Sequence, residues 1–173
     1  NKKDDWKVDV FYMDFKNFFQ WQPDANGRPL VRVNGGKFRN VGIEAEYGRR
    51  LSDRLKWNVS GSYSNPRQKE LNENYWKQAA PKLQFTTGIR YESPTWEAGT
   101  SFSFVTKRLR NRDGGLNPNI ALWNAYVGYH FNKDATLRLD ARNLLDRHNV
   151  ITNGDYEYWG DPFTYELSYT QKF

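Results

Sequence analysis

Cysteine is absent from this chain of 173 residues, which removes disulfides, thiolate metal sites and cysteine nucleophiles together. Histidine is nearly as scarce. Only His130 and His148 occur, and neither has flanking ligands at a zinc spacing. No run approaches the roughly 20 apolar residues of a membrane-spanning helix, so a helical membrane protein is excluded. A strand-built one is not, because a barrel wall needs only every second residue apolar. The opening Asn1-Lys2-Lys3-Asp4-Asp5 lacks the apolar centre of a signal peptide, so further sequence is expected upstream. Gly35-Gly36 and Gly114-Gly115 have no strand–helix context for a phosphate cradle and are expected to be turn glycines. Glu44 and Glu46 share a strand face, and pairing with Arg or Lys is the expected fate of such charges. No catalytic constellation remains, so no enzyme, resident cofactor or metal site is expected.

What the chain does have is aromatics, at 17% against a hydrophobic content of only 38%. Disordered chains are poor in aromatics. From Phe163 to Phe173, aromatic or aliphatic residues hold 163, 165, 167, 169 and 173, with polar residues at the even positions between. Side chains alternate across a strand, so this segment has one apolar face and one polar face carrying Glu166 and Lys172. The same alternation recurs around Val8–Tyr12, Val41–Tyr47, Leu55–Tyr63, Leu83–Tyr91, Trp96–Phe104, Ala121–Phe131 and Ala135–Ala141. Eight strands of bilayer-crossing length follow. Soluble sandwiches and lipocalin-like barrels share this period, but they turn apolar residues inward and bury branched aliphatics. Aromatics near strand ends and a terminal Phe favour a membrane wall.

The connections alternate in length. Short turns are expected at 50–54, 92–95 and 132–134, and long loops at 18–39, 65–82, 107–119 and 144–162. That rhythm predicts an all-β, antiparallel, up-and-down transmembrane β-barrel with long loops extracellular and the C-terminus periplasmic.

Several segments resemble TonB-dependent outer-membrane receptors: Asn34-Gly35-Gly36-Lys37-Phe38-Arg39-Asn40 leading into Val41–Glu46, the turn Leu51–Leu55 before Val59–Ser64, Ala80-Pro81-Lys82, and Asp140-Ala141-Arg142-Asn143-Leu144-Leu145-Asp146. The resemblance spans residues 1–173 and implies the last eight strands of a 22-stranded barrel, with the plug domain absent. It further implies a siderophore, haem or cobalamin receptor in a Gram-negative outer membrane, energised by TonB through the plug. Tyr165, Leu167, Tyr169 and Phe173 are then similar to the signal read by the barrel-assembly machinery. A self-contained eight-stranded barrel with an adhesion or structural role is the alternative.

Ligand contact is expected in two of the long loops. One offers Arg108, Arg110 and Arg112, the other His148, Tyr156, Tyr158 and Trp159. Arginines give charge-assisted hydrogen bonds to an anionic metal chelate, and exposed aromatics give it a flat surface. The same basic residues suit the phosphates of lipopolysaccharide. A net charge of +6 with interleaved aromatics would also suit single-stranded nucleic acid, but eight amphipathic strands argue against that partner. His130, beside a short turn, is expected to be a polar residue of the barrel interior or interface.

Overall fold

The computed structural model of the protein describes residues 3–22, 31–109, 115–151 and 158–173. Its long strands are β1 (Asp4–Gln22), β2 (Val31–Arg50), β3 (Leu55–Ser64), β6 (Leu83–Glu92), β7 (Trp96–Val105), β10 (Ile120–His130), β11 (Ala135–Arg142) and β12 (Thr164–Gln171). Between them lie the short β4 (Arg67–Lys69), β5 (Lys77–Gln78), β8 (Arg108–Leu109) and β9 (Leu116–Asn117). Among the described residues no helix is long and apolar enough to cross a membrane.

All pairings are antiparallel, and the long strands form one meander in the order β12-β11-β10-β7-β6-β3-β2, with β1 beside β2. The register decides which residues share a face. Trp6 lies opposite Tyr47, Tyr47 opposite Val59, Val59 opposite Thr87, and Thr87 opposite Phe102. Phe102 then meets Trp123, while further along Val127 meets Leu139 and Leu139 meets Leu167. A slip of one residue in any pair would turn a whole strand over. None occurs between these long strands below the outer half of β1, so every apolar set lands on one continuous face. Few apolar side chains are buried: Ala121, Ala135 and Val150 form the buried hydrophobic set. Among the described residues the long strands form one sheet with no second layer over it, so its apolar face stays exposed.

Short turns close where sequence places them. Leu51 N–H donates to Leu55 O at 2.8 Å, Ser93 N–H to Trp96 O at 2.8 Å, and Phe131 N–H to Ala135 O at 3.0 Å. The expected long loop over 18–39 is different: β1 continues to Gln22 and β2 starts at Val31, so most of it is hairpin. Alternation is lost there because the ladder bulges. Asn17 adopts φ 60°, and the register shifts between Lys16 and Phe18 and again between Phe18 and Phe19. Gly35 and Gly36 are strand residues of β2, not turn glycines. A Cβ on Gly36 would stand 2.5 Å from the Phe18 ring, and one on Gly35 2.6 Å from Leu71. A side chain at either position would have to displace its neighbour, so close approach and not a turn suits glycine at both.

At about 3.3–3.4 Å per residue, the hairpin of β1 and β2 reaches well past a bilayer. Its outer half is widened by β4, which pairs with Lys37–Arg39, and by β5 beyond. Arg39 stacks over Trp76 at 4.3 Å. Lys77 Nζ sits 2.6 Å from Glu70 and 3.0 Å from Glu73, whose carboxylate also accepts the Glu70 N–H.

Candidate binding mouth and inner wall

The last long loop is organised by asparagines. Asn143 is 2% exposed and adopts φ 51°, a conformation that asparagine tolerates better than most residues. Its Nδ2 donates to Arg147 O at 3.0 Å and Asp161 O at 2.9 Å, and its Oδ1 accepts the Arg147 N–H at 3.2 Å. Asp146 Oδ1 accepts the Phe163 N–H at 2.9 Å. Asn143 and Asp146, the polar ends of Asn143-Leu144-Leu145-Asp146, thus tie the loop's departure from β11 to its return into β12. Asn149, also buried, bridges to both backbone groups of Ala121 at the start of β10. Neither asparagine is among the expected site residues; for Asn143 the available signal is its position just past the end of an expected strand.

Four of the candidate ligand residues are described. His148 and Trp159 meet edge to face, with ring centroids 5.9 Å apart. Trp159 pairs with Val150 in an isolated bridge, and Tyr158 O accepts the Ile151 N–H at 2.9 Å. Arg108 arrives from the neighbouring loop, where β8 and β9 form a short hairpin. Its guanidinium donates to Val150 O and, at 3.0 Å, to Ile151 O. Arg108 therefore clamps one candidate loop to the other. Burial lowers its pKa from the ordinary arginine value, yet arginine remains charged throughout the physiological range. His148, Tyr158 and Trp159 are exposed at the surface of this junction. Arg110, Arg112 and Tyr156 lie outside the described residues.

The polar face carries a charged network. Arg138 donates through Nε and Nη2 to both oxygens of Asp140 at 2.8 and 2.9 Å, and through Nη1 to Glu97 at 2.8 Å. Its guanidinium lies 3.8 Å over the Tyr126 ring. His130 stands on the same face, with Nδ1 2.9 Å from Thr136 Oγ1 and Nε2 4.0 Å from Glu97. It is a polar-wall residue, as expected. Glu46 lies opposite Lys7 in register, and Glu166 opposite Asp140 with Arg142 3.6 Å away. Paired charges on one side and exposed aromatics on the other are the reverse of a soluble sandwich.

This inversion has a known owner. Residues 1–144 match the family model described as TonB dependent receptor-like, beta-barrel. The chain belongs to that family. Barrels of this family stand in the outer membrane of Gram-negative bacteria, so the aromatic face meets lipid and the charged face lines the interior. Solved structures agree on the fold. The ferric citrate transporter FecA superposes with a TM-score of 0.81 at 22% identity, covering 99% of this chain and 29% of FecA. The ferric-catecholate import receptor Fiu from E. coli K12 gives 0.76 at 18%, covering 100% and 26%. The copper transporter OprC gives 0.76 at 16%, covering 100% and 30%. This chain spans less than a third of each of these. Comparison with curated proteins gives no match.

Proposed function

We propose that this chain forms the C-terminal wall and outer loops of a receptor that imports a scarce nutrient, a ferric siderophore before haem or cobalamin, with energy from TonB through a plug domain. Supporting this most directly is the superposition of the whole chain on receptors whose names carry ferric citrate and ferric catecholate. Binding followed by gated release is the mechanism, and no bond is made or broken. The long loops are extracellular and the C-terminus periplasmic, as the alternation of short turns and long loops supports. Residues 1–173 are the last eight strands of a 22-stranded barrel. Against a self-contained barrel stands the pairing: β1 bonds to β2 and β12 to β11, while a closed eight-stranded barrel would join β1 to β12. The mass of the mature polypeptide tests this, and one near 20 kDa would restore the small barrel with its adhesive or structural role.

Arg110, Arg112, His148, Tyr156, Tyr158 and Trp159 contact the ligand, and Arg108 holds their two loops together. One arginine hydrogen bond to a charged group is worth about 1.5–3 kcal/mol, roughly ten- to a hundredfold in affinity. Replacing Arg110 and Arg112 by alanine should weaken uptake of a ferric chelate at unchanged surface abundance. An unchanged Kd would assign these arginines to lipopolysaccharide phosphates instead.

A further inference from the structure

Two rows of charge cross β1, β2 and β4 beyond the apolar band of the outward face. In the upper row Lys16 lies opposite Lys37, and Lys37 opposite Lys69; in the lower, Asp14 lies opposite Arg39, and Arg39 opposite Arg67. Directly paired residues share a face, and the ladder runs regularly from Tyr12 and Val41 to Lys16 and Lys37. Both rows therefore point outward, as Tyr12 and Val41 do. The arginines of the lower row are satisfied: Arg39 stacks over Trp76, and Arg67 Nε donates to Asn65 Oδ1 at 3.0 Å. The ammonium groups of the three lysines have no ion pair or hydrogen bond among the described residues, and Lys77 holds Glu70 and Glu73. Like charges directly opposite destabilise a sheet, and Lys37 has one on each side. Its strand is paired at both edges here, so guarding an open edge does not account for it.

We propose that the row of Lys16, Lys37 and Lys69 is a binding site for the phosphate groups of an outer-leaflet lipid headgroup. A phosphate carries about −1.5 to −2 charges and three acceptor oxygens. One such group can bridge two ammonium groups that otherwise repel each other. Lys16 stands four residues past Tyr12, about 13 Å along the strand. At a barrel strand's tilt that distance clears the hydrocarbon and meets the headgroup layer. A chelate imported through the barrel meets the opposite face, so the occupant of this row comes from the membrane. Naming the outer leaflet rests on the orientation proposed above, which protease shaving of intact cells tests separately; phosphate binding by the row does not.

Titration of the intact receptor in mild detergent with lipid A tests the row, beside the same lipid stripped of its phosphates and inorganic phosphate alone. Lys16→Gln, Lys37→Gln and Lys69→Gln together remove three charges and keep most of each side-chain stem. Lys3→Gln, Lys133→Gln and Lys172→Gln remove the same charge at the short-turn end. A lysine at an anionic lipid surface contributes about fivefold in affinity. The row variant should therefore bind lipid A roughly a hundredfold more weakly, and the short-turn variant about as well as the natural protein. Lipid without phosphates should bind both the natural protein and the row variant equally. Lipid A should also raise the unfolding midpoint of the natural protein and leave that of the row variant in place. Because the row repels itself, its loss should not lower the midpoint in lipid-free detergent. Equal affinity of natural protein and row variant for lipid A, or an equal loss in both variants, would overturn the proposal. So would inorganic phosphate binding as tightly as lipid A, which would make the row a site for free anions.

Discussion

Among the described residues, single asparagines make more of the bonds that hold the last loop than its charged residues do. Asn143 satisfies three backbone groups from a buried position and accepts a φ of 51°. Alanine there removes all three bonds and is strained by the same φ. The bonds are only partly buried, so the expected cost is about 0.5–1.5 kcal/mol for each, concentrated on residues 144–162. Hydrogen exchange at Arg147 and protease cleavage of that loop should both accelerate, and Asn143→Asp, which keeps the acceptor, should accelerate them less. Unaltered exchange would mean that other contacts fix the loop. Arg108 differs in kind, since its two carbonyl partners belong to another loop. It joins the two candidate loops to each other.

At the level of elements, the wall hides polar atoms in lipid by chaining them to the strands. Thr100 both accepts from the Trp123 indole and donates to a strand carbonyl. Thr100→Val should therefore leave an indole N–H unpaired in hydrocarbon, at about 1–3 kcal/mol. In a Trp123→Phe background that cost should largely vanish, and unfolding from vesicles measures the difference; full additivity would show that the pair is not coupled. The lobe beyond the wall is governed by ions instead. Partial burial works against the charge of Glu73, but hydrogen bonds from Lys77 and the Glu70 N–H outweigh it, so its pKa lies below the ordinary glutamate value. Burial likewise opposes charge on Lys77, while hydrogen bonds to Glu70 and Glu73 raise its pKa above the ordinary lysine value. Glu73 thus stabilises the lobe above about pH 4.3, an effect lost as pH falls through its depressed pKa. Lys77 stabilises it below about pH 10.4, an effect lost as pH rises through its raised pKa. Exchange protection across β4 and β5 should form a plateau between those limits. Lys77→Met should flatten it, and a profile unchanged by that substitution would remove the ion pairs from the account.

Among the described residues the long strands form a sheet with two open edges. Trp6 on β1 is 74% exposed and Tyr165 on β12 76%, and both edge strands bond to one neighbour only. Open strand edges pair with whatever chain is available, and pairing with further strands of a larger barrel is part of the function proposed above. Phe173, wholly exposed past the end of β12, has no packing role here. Its deletion should leave the thermal stability of refolded receptor unchanged while reducing delivery to the outer membrane. Normal surface levels without it would remove its proposed part in assembly.

Much of this wall is determined by local chemistry. Period-2 alternation fixes which side chains share a face, and the short turns carry their own Ser and Asn partners, so strands and short connections are legible residue by residue. The hairpin of β1 and β2 was not, because a bulge at Asn17 breaks the alternation on which that reading depends. The binding mouth was legible only as composition. Sequence points to arginines and aromatics in two loops, but whether Arg108 faces a ligand or a backbone depends on where residues 150 and 151 lie, more than 40 positions away. The Trp57–Thr87 and Trp123–Thr100 bonds and the Arg138–Glu97 pair are decided in the same way, by partners on other strands. Sequence by itself determines the two faces, since each is a property of one strand; tertiary structure alone decides the partners, since those arise from register between strands.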